Sequence, residues 1–290
     1  MSKIKLKVAQ LQTFVYKEKM KNIEALDSRL DEVTREKVDL ATLPEMFACP
    51  YETAKFPIYA EREGDALWQA CSELAKKYHI YLSAGSMPEV DDRGRVFNTA
   101  YVFDREGKQI AKHRKVHLFD INVQGGQYFK ESDTLAAGSQ VTVFDTEFCK
   151  MGICICYDFR FPELARLMAT KGAKVILVPA AFNMTTGPAH WEIMFRSRAL
   201  DNQVYALGTA LARDLSASYI SWGHSIAVGP WGNVTAQLEE TEGYLIHELN
   251  LEAVDQVRAQ LPLLKHRRTD MYRLEECILD TFDEMSKVYT

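Results

Sequence analysis

The sequence predicts an α/β protein of one principal domain, with helices packed outside mixed β-sheet, and three observations carry that expectation. Apolar β-type runs outnumber helical stripes. Hairpin turns join some of those runs, and helical crossovers join others. No repeat, low-complexity tract or linker interrupts residues 1–250. At 290 residues and 33.1 kDa the chain can bury a large core, as one big domain or as two small ones.

Ile4 to Leu11 alternates Lys with apolar residues and reads as a first strand, without the apolar centre of a signal peptide. Lys17 to Arg35 follows as a helix, with Met20, Ile23, Leu26, Leu30 and Val33 on one stripe. Val38 to Leu43 is a short buried strand that ends at Pro44-Glu45. Asp65 to Tyr78 is helical, with Leu67, Ala70, Cys71 and Leu74 facing inward. Ile80 to Ser86 and Val96 to Phe103 are strands, and Asp104-Arg105-Glu106-Gly107 turns the chain into Lys108 to Lys115. His117 to Ala137 carries Gly125-Gly126 and reads as an irregular loop over one end of the sheet.

Val141 to Thr146 and Lys150 to Ile155 are strands. A sharp corner at Cys156-Tyr157-Asp158 then precedes a helix that Pro162 opens and that runs to about Thr170. Lys174 to Pro179 is a buried strand, Ala189 to Asn202 a helix and Val204 to Ala210 a strand. Tyr219 to Val228 and Val234 to Leu238 form a hairpin through Gly229-Pro230-Trp231-Gly232, and Tyr244 to Leu249 is the last core strand. The tail from Leu251 to Thr290 is charged and helical, and is expected to wrap the surface or reach a partner subunit.

Composition narrows the function classes. Hydrophobic content of 47% and charged content of 26% suit an ordinary globular protein. A net charge of −5 leaves no basic footprint for nucleic acid, and no apolar run is long enough to cross a bilayer. The six cysteines (49, 71, 149, 154, 156 and 277) lack paired metal spacing, and Cys154-x-Cys156 is a single CxC, so a zinc site is not expected. Reduced thiols in a cytoplasm are the expectation.

The stretch Met151 to Leu164, MGICICYDFRFPEL, places the Cys156 thiol at a strand-to-helix corner, where backbone N–H groups of the next turn are unpaired and positive in character. That position suits a nucleophile whose product is an oxyanion. As a lone feature it equally describes a buried structural cysteine. Glu45 ends a second strand (DLATLPE) and Lys115 a third (IAKHRKVHLFD). A thiol needs a base to ionise it and a cation to stabilise the attacked oxygen. Surface salt bridges account for most Glu and Lys residues, so spacing alone leaves convergence open.

LPEMF around Glu45, HRKVHLFD around Lys115 and GICICYDFRFPEL around Cys156 closely resemble, in order, the three signature segments of the nitrilase (carbon–nitrogen hydrolase) superfamily. The resemblance runs from about Ile4 to Leu249 and continues weakly through LPLLKHRRTDMY. FKES, AAFNMTTGPAHWE and RSRALDNQVYALGTALARD look most like the ω-amidase branch, the Nit proteins that hydrolyse α-keto acid amides. The resemblance implies a four-layer αββα sandwich of two mixed sheets over residues 1–250, with residues 251–290 as an extension. It also implies dimerisation through helices into an eight-layer core, and no metal or organic cofactor. It makes Glu45 the general base, Lys115 the cation at the developing oxyanion and Cys156 the nucleophile. Glu131, in FKES, becomes a second glutamate near the lysine that positions the substrate amide.

On that reading Cys156 attacks an amide, Lys115 and the Tyr157 N–H hold the oxyanion, ammonia leaves, and water releases the acid from a thioester. The thiol is expected to be primed by proton transfer to Glu45 rather than to be a free thiolate. Arg160, one turn past the nucleophile, either grips a substrate carboxylate or pairs with Asp158 or Glu163. The branch resemblance favours the first, assisted by Phe182, Thr186 and Tyr51. His117, Asp120 and His190 could suggest a Cys–His arrangement, but the family pattern makes the histidines structural. Trp191 and Glu192 are expected to pack and cap the helix bordering the site.

The leading substrates are short dicarboxylic acid monoamides such as α-ketoglutaramate and α-ketosuccinamate. Alternatives are another branch of the superfamily (an N-carbamoyl amino acid or β-ureido acid hydrolase, or a deaminated glutathione amidase) and a non-catalytic scaffold subunit. A nucleotide-binding protein lacks support, since no GxGxxG or GxxxxGK follows a strand.

Overall fold

The computed structural model describes residues 5–277. Elements are numbered in chain order. The first sheet contains β1 (Lys5–Gln12), β2 (Leu40–Thr42), β3 (Tyr81–Ser83), β4 (Met87–Val90), β5 (Val96–Phe103), β6 (Gln109–Arg114) and β15 (Gly243–Asn250). Its order is β15-β1-β2-β3-β5-β4, with β6 also on β5. The second sheet contains β9 (Thr142–Asp145), β10 (Lys150–Ile153), β11 (Val175–Ala180), β12 (Tyr205–Ala210), β13 (Ile226–Val228) and β14 (Val234–Gln237), in the order β14-β13-β12-β11-β10-β9. A small hairpin pairs β7 (Asp120–Asn122) with β8 (Tyr128–Lys130). The helices are α1 (Lys19–Thr34), α2 (Phe56–Tyr59), α3 (Ala66–Tyr78), α4 (Pro162–Thr170), α5 (Gly187–Asn202) and α6 (Glu252–Gln260). Both large sheets are mixed: β1-β2-β3 and β10-β11-β12 run parallel, and their flanking strands run antiparallel.

The period-2 alternation of β1 sorts its side chains into two interfaces. Leu6 and Val8 pack with the second sheet, and Ala9 and Leu11 pack with α1 and α3. Gln10 shares the inner face with Leu6 and Val8, and its amide donates across the sandwich to Gly208 O at 2.9 Å. Thr42 Oγ1 meets Thr209 Oγ1 at 2.6 Å in the same layer. On the outer side of the second sheet, Met168 of α4 and Trp191 and Phe195 of α5 join the core. Gly208 admits α5, because a Cβ there would stand 2.4 Å from the Phe195 ring. The layers are therefore α1/α3, first sheet, second sheet, α4/α5, the four-layer sandwich expected.

Local departures have local causes. Helix α1 begins two residues late, leaving Met20 49% exposed, and buried Asn22 secures the entry by accepting from Tyr16 N at 2.8 Å. Ala70 is only half-buried. The expected strand Ile80 to Ser86 stops at Ser83 because Gly85 takes φ +58°, and β4, unforeseen, follows with Pro88 on an edge strand where a missing N–H is tolerated. The expected irregular loop 117–137 holds the β7–β8 hairpin and a 3₁₀ turn at Glu131–Asp133. Of Tyr219 to Val228 only Ile226–Val228 joins the ladder, since Gly223 and His224 both have positive φ. Among the described residues the tail is helical over Glu252–Gln260 alone. Its later part crosses the chain's own surface, where Glu276 accepts from Val141 N at 2.8 Å and pairs with Lys171 at 2.7 Å. The expectation of helix at 278–290 lies outside the described residues.

One half-buried histidine makes stability depend on pH. His247 Nε2 donates to Gln10 Oε1 at 2.9 Å, leaving Nδ1 buried without a partner, and burial lowers its pKa from 6.5 to about 4. Between those values the unfolded chain binds a proton that the folded chain refuses, so stability is full above pH 6.5 and falls as pH drops towards 4. The loss is at most about 3 kcal/mol. Urea unfolding across this range is expected to show it, and His247→Gln, which keeps a donor for Gln10, is expected to flatten it.

Candidate active site

Three strand ends deliver three side chains to one end of the sandwich. After β2, Leu43-Pro44-Glu45 turns against Gly85, where a Cβ would stand 2.1 Å from Pro44 O. Ser86 N donates to Pro44 O at 3.2 Å and Ser86 Oγ accepts from Met46 N at 3.0 Å, so the turn carrying Glu45 is fixed on both sides. Lys115 follows β6 and is held by its N–H on Asn98 O and its carbonyl on Gly138 N, both 2.8 Å. Cys156 follows β10 at φ +47°, a left-handed backbone that few L-residues adopt, and opens a 3₁₀ turn over Cys156–Arg160.

At the centre lies the Lys115 ammonium, 0% exposed, 2.8 Å from Glu45 Oε1 and 2.9 Å from Glu131 Oε1. Glu45 Oε1 also accepts from Asn98 Nδ2 at 2.8 Å and lies 3.1 Å from the Tyr51 hydroxyl. Glu45 Oε2 is buried and accepts no hydrogen bond. Glu131 Oε1 is 2.7 Å from the same hydroxyl, and its Oε2 accepts from Phe119 N at 2.7 Å. Tyr51 has a single proton, so it serves one carboxylate at a time. Lys115 has three N–H bonds and spends two on the carboxylates.

The electrostatics follow from burial around this cluster. Burial lowers the Lys115 pKa, but Glu131 and Glu45 outweigh it and hold the ammonium well above its ordinary value. Burial raises Glu131; Lys115 opposes that and the Glu45 charge adds to it, with a net rise. Cys156 is 5% exposed, and its thiol is raised well above 9.0 by burial first and Glu45 second, against Lys115 and the Ala181 N–H. The resting sulfur is thus a neutral thiol flanked by a carboxylate and an ammonium.

Asp158 ties the Cys156 turn to the Lys115 loop. Fully buried, it accepts from Ile155 N at 3.0 Å, Val116 N at 3.1 Å, His117 N at 2.8 Å and His117 Nδ1 at 2.8 Å, and meets His113 Nε2 at 3.0 Å. The sequence alternative that paired Arg160 with Asp158 or Glu163 is therefore corrected: among the described residues Arg160 has no carboxylate partner. Its Nη1 donates to His190 Nδ1 at 3.0 Å, its Nε is buried and unpartnered, and its guanidinium lies 4.5 Å over the Phe182 ring. His117 stacks on Phe161 at 3.7 Å, so it belongs to the Asp158 network and forms no Cys–His pair.

The remaining candidates divide. Tyr51 is in the carboxylate cluster, and its ring stands 4.5 Å from that of Tyr219. Tyr157 packs its ring on Phe119 at 5.1 Å and Phe161 at 5.4 Å. Phe182 is buried against Trp191 at 4.9 Å. Thr186 spends its hydroxyl on Asn183 Oδ1 at 3.0 Å and its N–H on the same atom at 2.8 Å. Trp191 packs as expected, donating to His224 O at 2.7 Å, but Glu192 caps nothing and pairs with Arg196 at 3.3 Å. A cavity of about 380 Å³ borders the cluster through Tyr51 and Tyr219. A groove of about 270 Å³ is lined by Arg160, His190 and Met194. Among the described residues, His224, Glu239 and Glu240 could hold a metal ion, and none of them belongs to the Lys115 cluster.

Sequence reasoning missed Asn98, Tyr219 and the hub role of Asp158. Asn98 carried a readable signal, because a lone amide inside the fully buried run Val96–Phe103 needs a polar partner. Tyr219 closes the aromatic wall and donates to Ala181 O from a loop the strand pattern did not resolve.

Residues 5–259 match the carbon–nitrogen hydrolase family. Omega-amidase NIT2-A of Xenopus laevis is 45% identical over 272 residues, covering 94% of this chain and 98% of that one. Omega-amidase NIT2 of Homo sapiens is 43% identical over 275 residues, covering 95% and 99%. The crystal structure of Saccharomyces cerevisiae Nit3, from branch 10 of the nitrilase superfamily, superimposes with a TM-score of 0.85 at 41% identity, over 92% of this chain and 99% of that one. With this fold, this order of strand-end residues and relatives of this kind, the chain belongs to the carbon–nitrogen hydrolase (nitrilase) superfamily.

Proposed function

We propose that this protein is an ω-amidase-like amidohydrolase that cleaves the terminal amide of short dicarboxylic and α-keto acid monoamides to acid and ammonia. The observation that carries the reading is one buried ammonium bridging two carboxylates, with one Glu45 oxygen left unpartnered beside a neutral thiol. Full-length relatives named omega-amidase, at 43–45% identity, support the choice of branch.

The residues divide the chemistry among themselves. Glu45 Oε2 takes the thiol proton as Cys156 Sγ attacks the amide carbon. The unspent Lys115 N–H and the Tyr157 N–H stabilise the tetrahedral oxyanion. Glu45 returns the proton to nitrogen, ammonia leaves, and a thioester remains on Cys156. Water deprotonated by Glu45 attacks the thioester, and the acid departs with the thiol restored. Glu131 holds Lys115 charged and, with Tyr51, fixes its direction. Arg160 takes the substrate's far carboxylate, which supplies the anionic partner the guanidinium otherwise lacks. Phe182 supports that guanidinium from below, and Thr186 borders the same loop.

The domain takes residues 1–250, with 251–290 as a C-terminal extension to it. Exposed Ile193 and Leu200 on α5, at 64% and 43%, with Trp231 of the adjacent β13–β14 turn at 56%, support a homodimer or higher homo-oligomer formed through that face. Six free cysteines fit a reducing cytoplasm. Among the described residues no helix is long and apolar enough to cross a membrane.

Ammonia release from α-ketoglutaramate, α-ketosuccinamate and succinamate, set against an N-carbamoyl amino acid and deaminated glutathione, tests the branch. The first three are expected to be preferred. Preference for either of the others assigns the chain to that branch. Arg160→Met is expected to cut kcat/KM for carboxylate-bearing amides by about 10²-fold and to leave 4-methylpentanamide, the neutral isostere of succinamate, within a few-fold. Equal losses on both would remove Arg160 from carboxylate recognition.

A further inference from the structure

We propose that Asp158 is a positioning residue for hydrolysis, setting the distance between the Cys156 sulfur and the Lys115 ammonium by anchoring both of their backbone segments to one buried carboxylate. The inference rests on the reading of Cys156 and Lys115 as nucleophile and oxyanion cation.

The two oxygens of Asp158 have different duties. Oδ2 accepts from Ile155 N, immediately before the nucleophile, and meets His113 Nε2, two residues before the lysine. Oδ1 accepts from Val116 N and His117 N, the two residues after the lysine, and from the His117 ring. One side chain thus brackets Lys115 on both sides and fixes the residue that leads into Cys156. No neighbouring ladder does this, because β6 and β10 lie in different sheets, with β10 bonded to β9 and β11.

The backbone at Cys156 explains why such an anchor is needed. At φ +47° a non-glycine residue is held against its own preference and persists only when its surroundings over-determine it. Asp158 over-determines it: its N–H donates to Ile155 O at 2.9 Å while its carboxylate accepts from Ile155 N at 3.0 Å, closing the turn on both sides of that residue. The carboxylate stays anionic, since burial raises its pKa but the bonds from His113 and His117 outweigh that and hold it well below the usual range. Five donors face the carboxylate. An amide in its place presents an NH₂ to some of them, and the left-handed corner loses its reason to stay. The sulfur then leaves the gap between Glu45 and Lys115. Asp158 reaches the reaction only through these segments and itself contacts none of Glu45, Lys115 or Cys156 by hydrogen bond.

Asp158→Asn and His117→Phe, compared with wild type and Cys156→Ala on one ω-amide, test this. Phenylalanine keeps the stack on Phe161 and removes only the ring bond to Oδ1, so that variant is expected to fold as wild type. Folded Asp158→Asn is expected to lose about 10²-fold or more in kcat with KM within threefold, as a displacement of roughly 1 Å at the reacting atoms would give. His117→Phe is expected to lose about tenfold in kcat, again at constant KM and melting temperature. Peptide-resolved iodoacetamide labelling of Cys156 is expected to change in both, with labelling of Cys277 unchanged. A merely structural role would lower stability and leave the kcat to KM split and the Cys156 labelling profile of the folded fraction at wild type. Wild-type kcat in His117→Phe, or less than a tenfold loss in folded Asp158→Asn, overturns the proposal; if Asp158→Asn does not fold, His117→Phe decides alone. An active Cys156→Ala would instead overturn the underlying assignment of the nucleophile.

Discussion

Cys156→Ala is expected to lose at least about 10⁴-fold in kcat on every amide the wild type hydrolyses, because removing the proposed nucleophile removes the proposed covalent path as a whole. No other sulfur can stand in. Cys154, two residues away, is 0% exposed, and burial raises its thiol well above its ordinary value, with the Asp158 charge adding to the rise. The left-handed corner that turns Cys156 towards Glu45 and Lys115 does not extend to Cys154. Intact-mass measurement during turnover checks the same point from the other side. Wild type is expected to gain the acyl mass of its substrate, and the alanine variant none while still binding it. A wild type with neither turnover nor adduct on any amide would restore the reading of a non-catalytic scaffold subunit.

How much of this was readable from sequence depends on the range of the forces involved. Glu45, Lys115 and Cys156 each stand at the end of a β-run, apolar before Glu45 and Cys156, and strand periodicity with Pro and Gly punctuation is a local signal that survives without tertiary context. Burial on both sheet faces likewise follows from runs such as Val175–Ala180, in which every residue is buried. Readability failed where the deciding contact joins distant parts of the chain. Asn98 reaches Glu45 across 53 positions, and Asp158 reaches His113 across 45. Arg160 and Asp158 lie two positions apart in a 3₁₀ turn, where side chains at that spacing point apart, so sequence proximity suggested a pair that the geometry does not make. The hairpin of β7 and β8 escaped because three-residue strands, here centred on Ile121 and Phe129, are too short to display a period.

Glu45→Gln is expected to lower kcat by about 10³-fold while leaving the fold and the charge of Lys115 intact, which makes it the cleaner probe of proton transfer. Glutamine is isosteric. Its carbonyl can occupy the Oε1 position and accept from Lys115 Nζ, Asn98 Nδ2 and Tyr51, as the carboxylate does. Its amide nitrogen then falls where Oε2 lies, the one oxygen with no partner, and places a donor where the proposed mechanism needs a base. Stability is expected to hold or rise. The buried cluster carries one cation and two carboxylates, so removing one negative charge leaves a balanced Lys115–Glu131 pair in place of a net anion. Glu131→Gln makes the same change in net charge without touching the free Glu45 oxygen, so it is expected to cost about 10²-fold at most, through the position of Lys115. Steady-state kinetics and melting temperatures of the two variants, measured side by side, therefore separate charge from base function. Equal kcat losses in both would assign the proton transfer to the pair of glutamates acting together, and not to the unpartnered oxygen of Glu45.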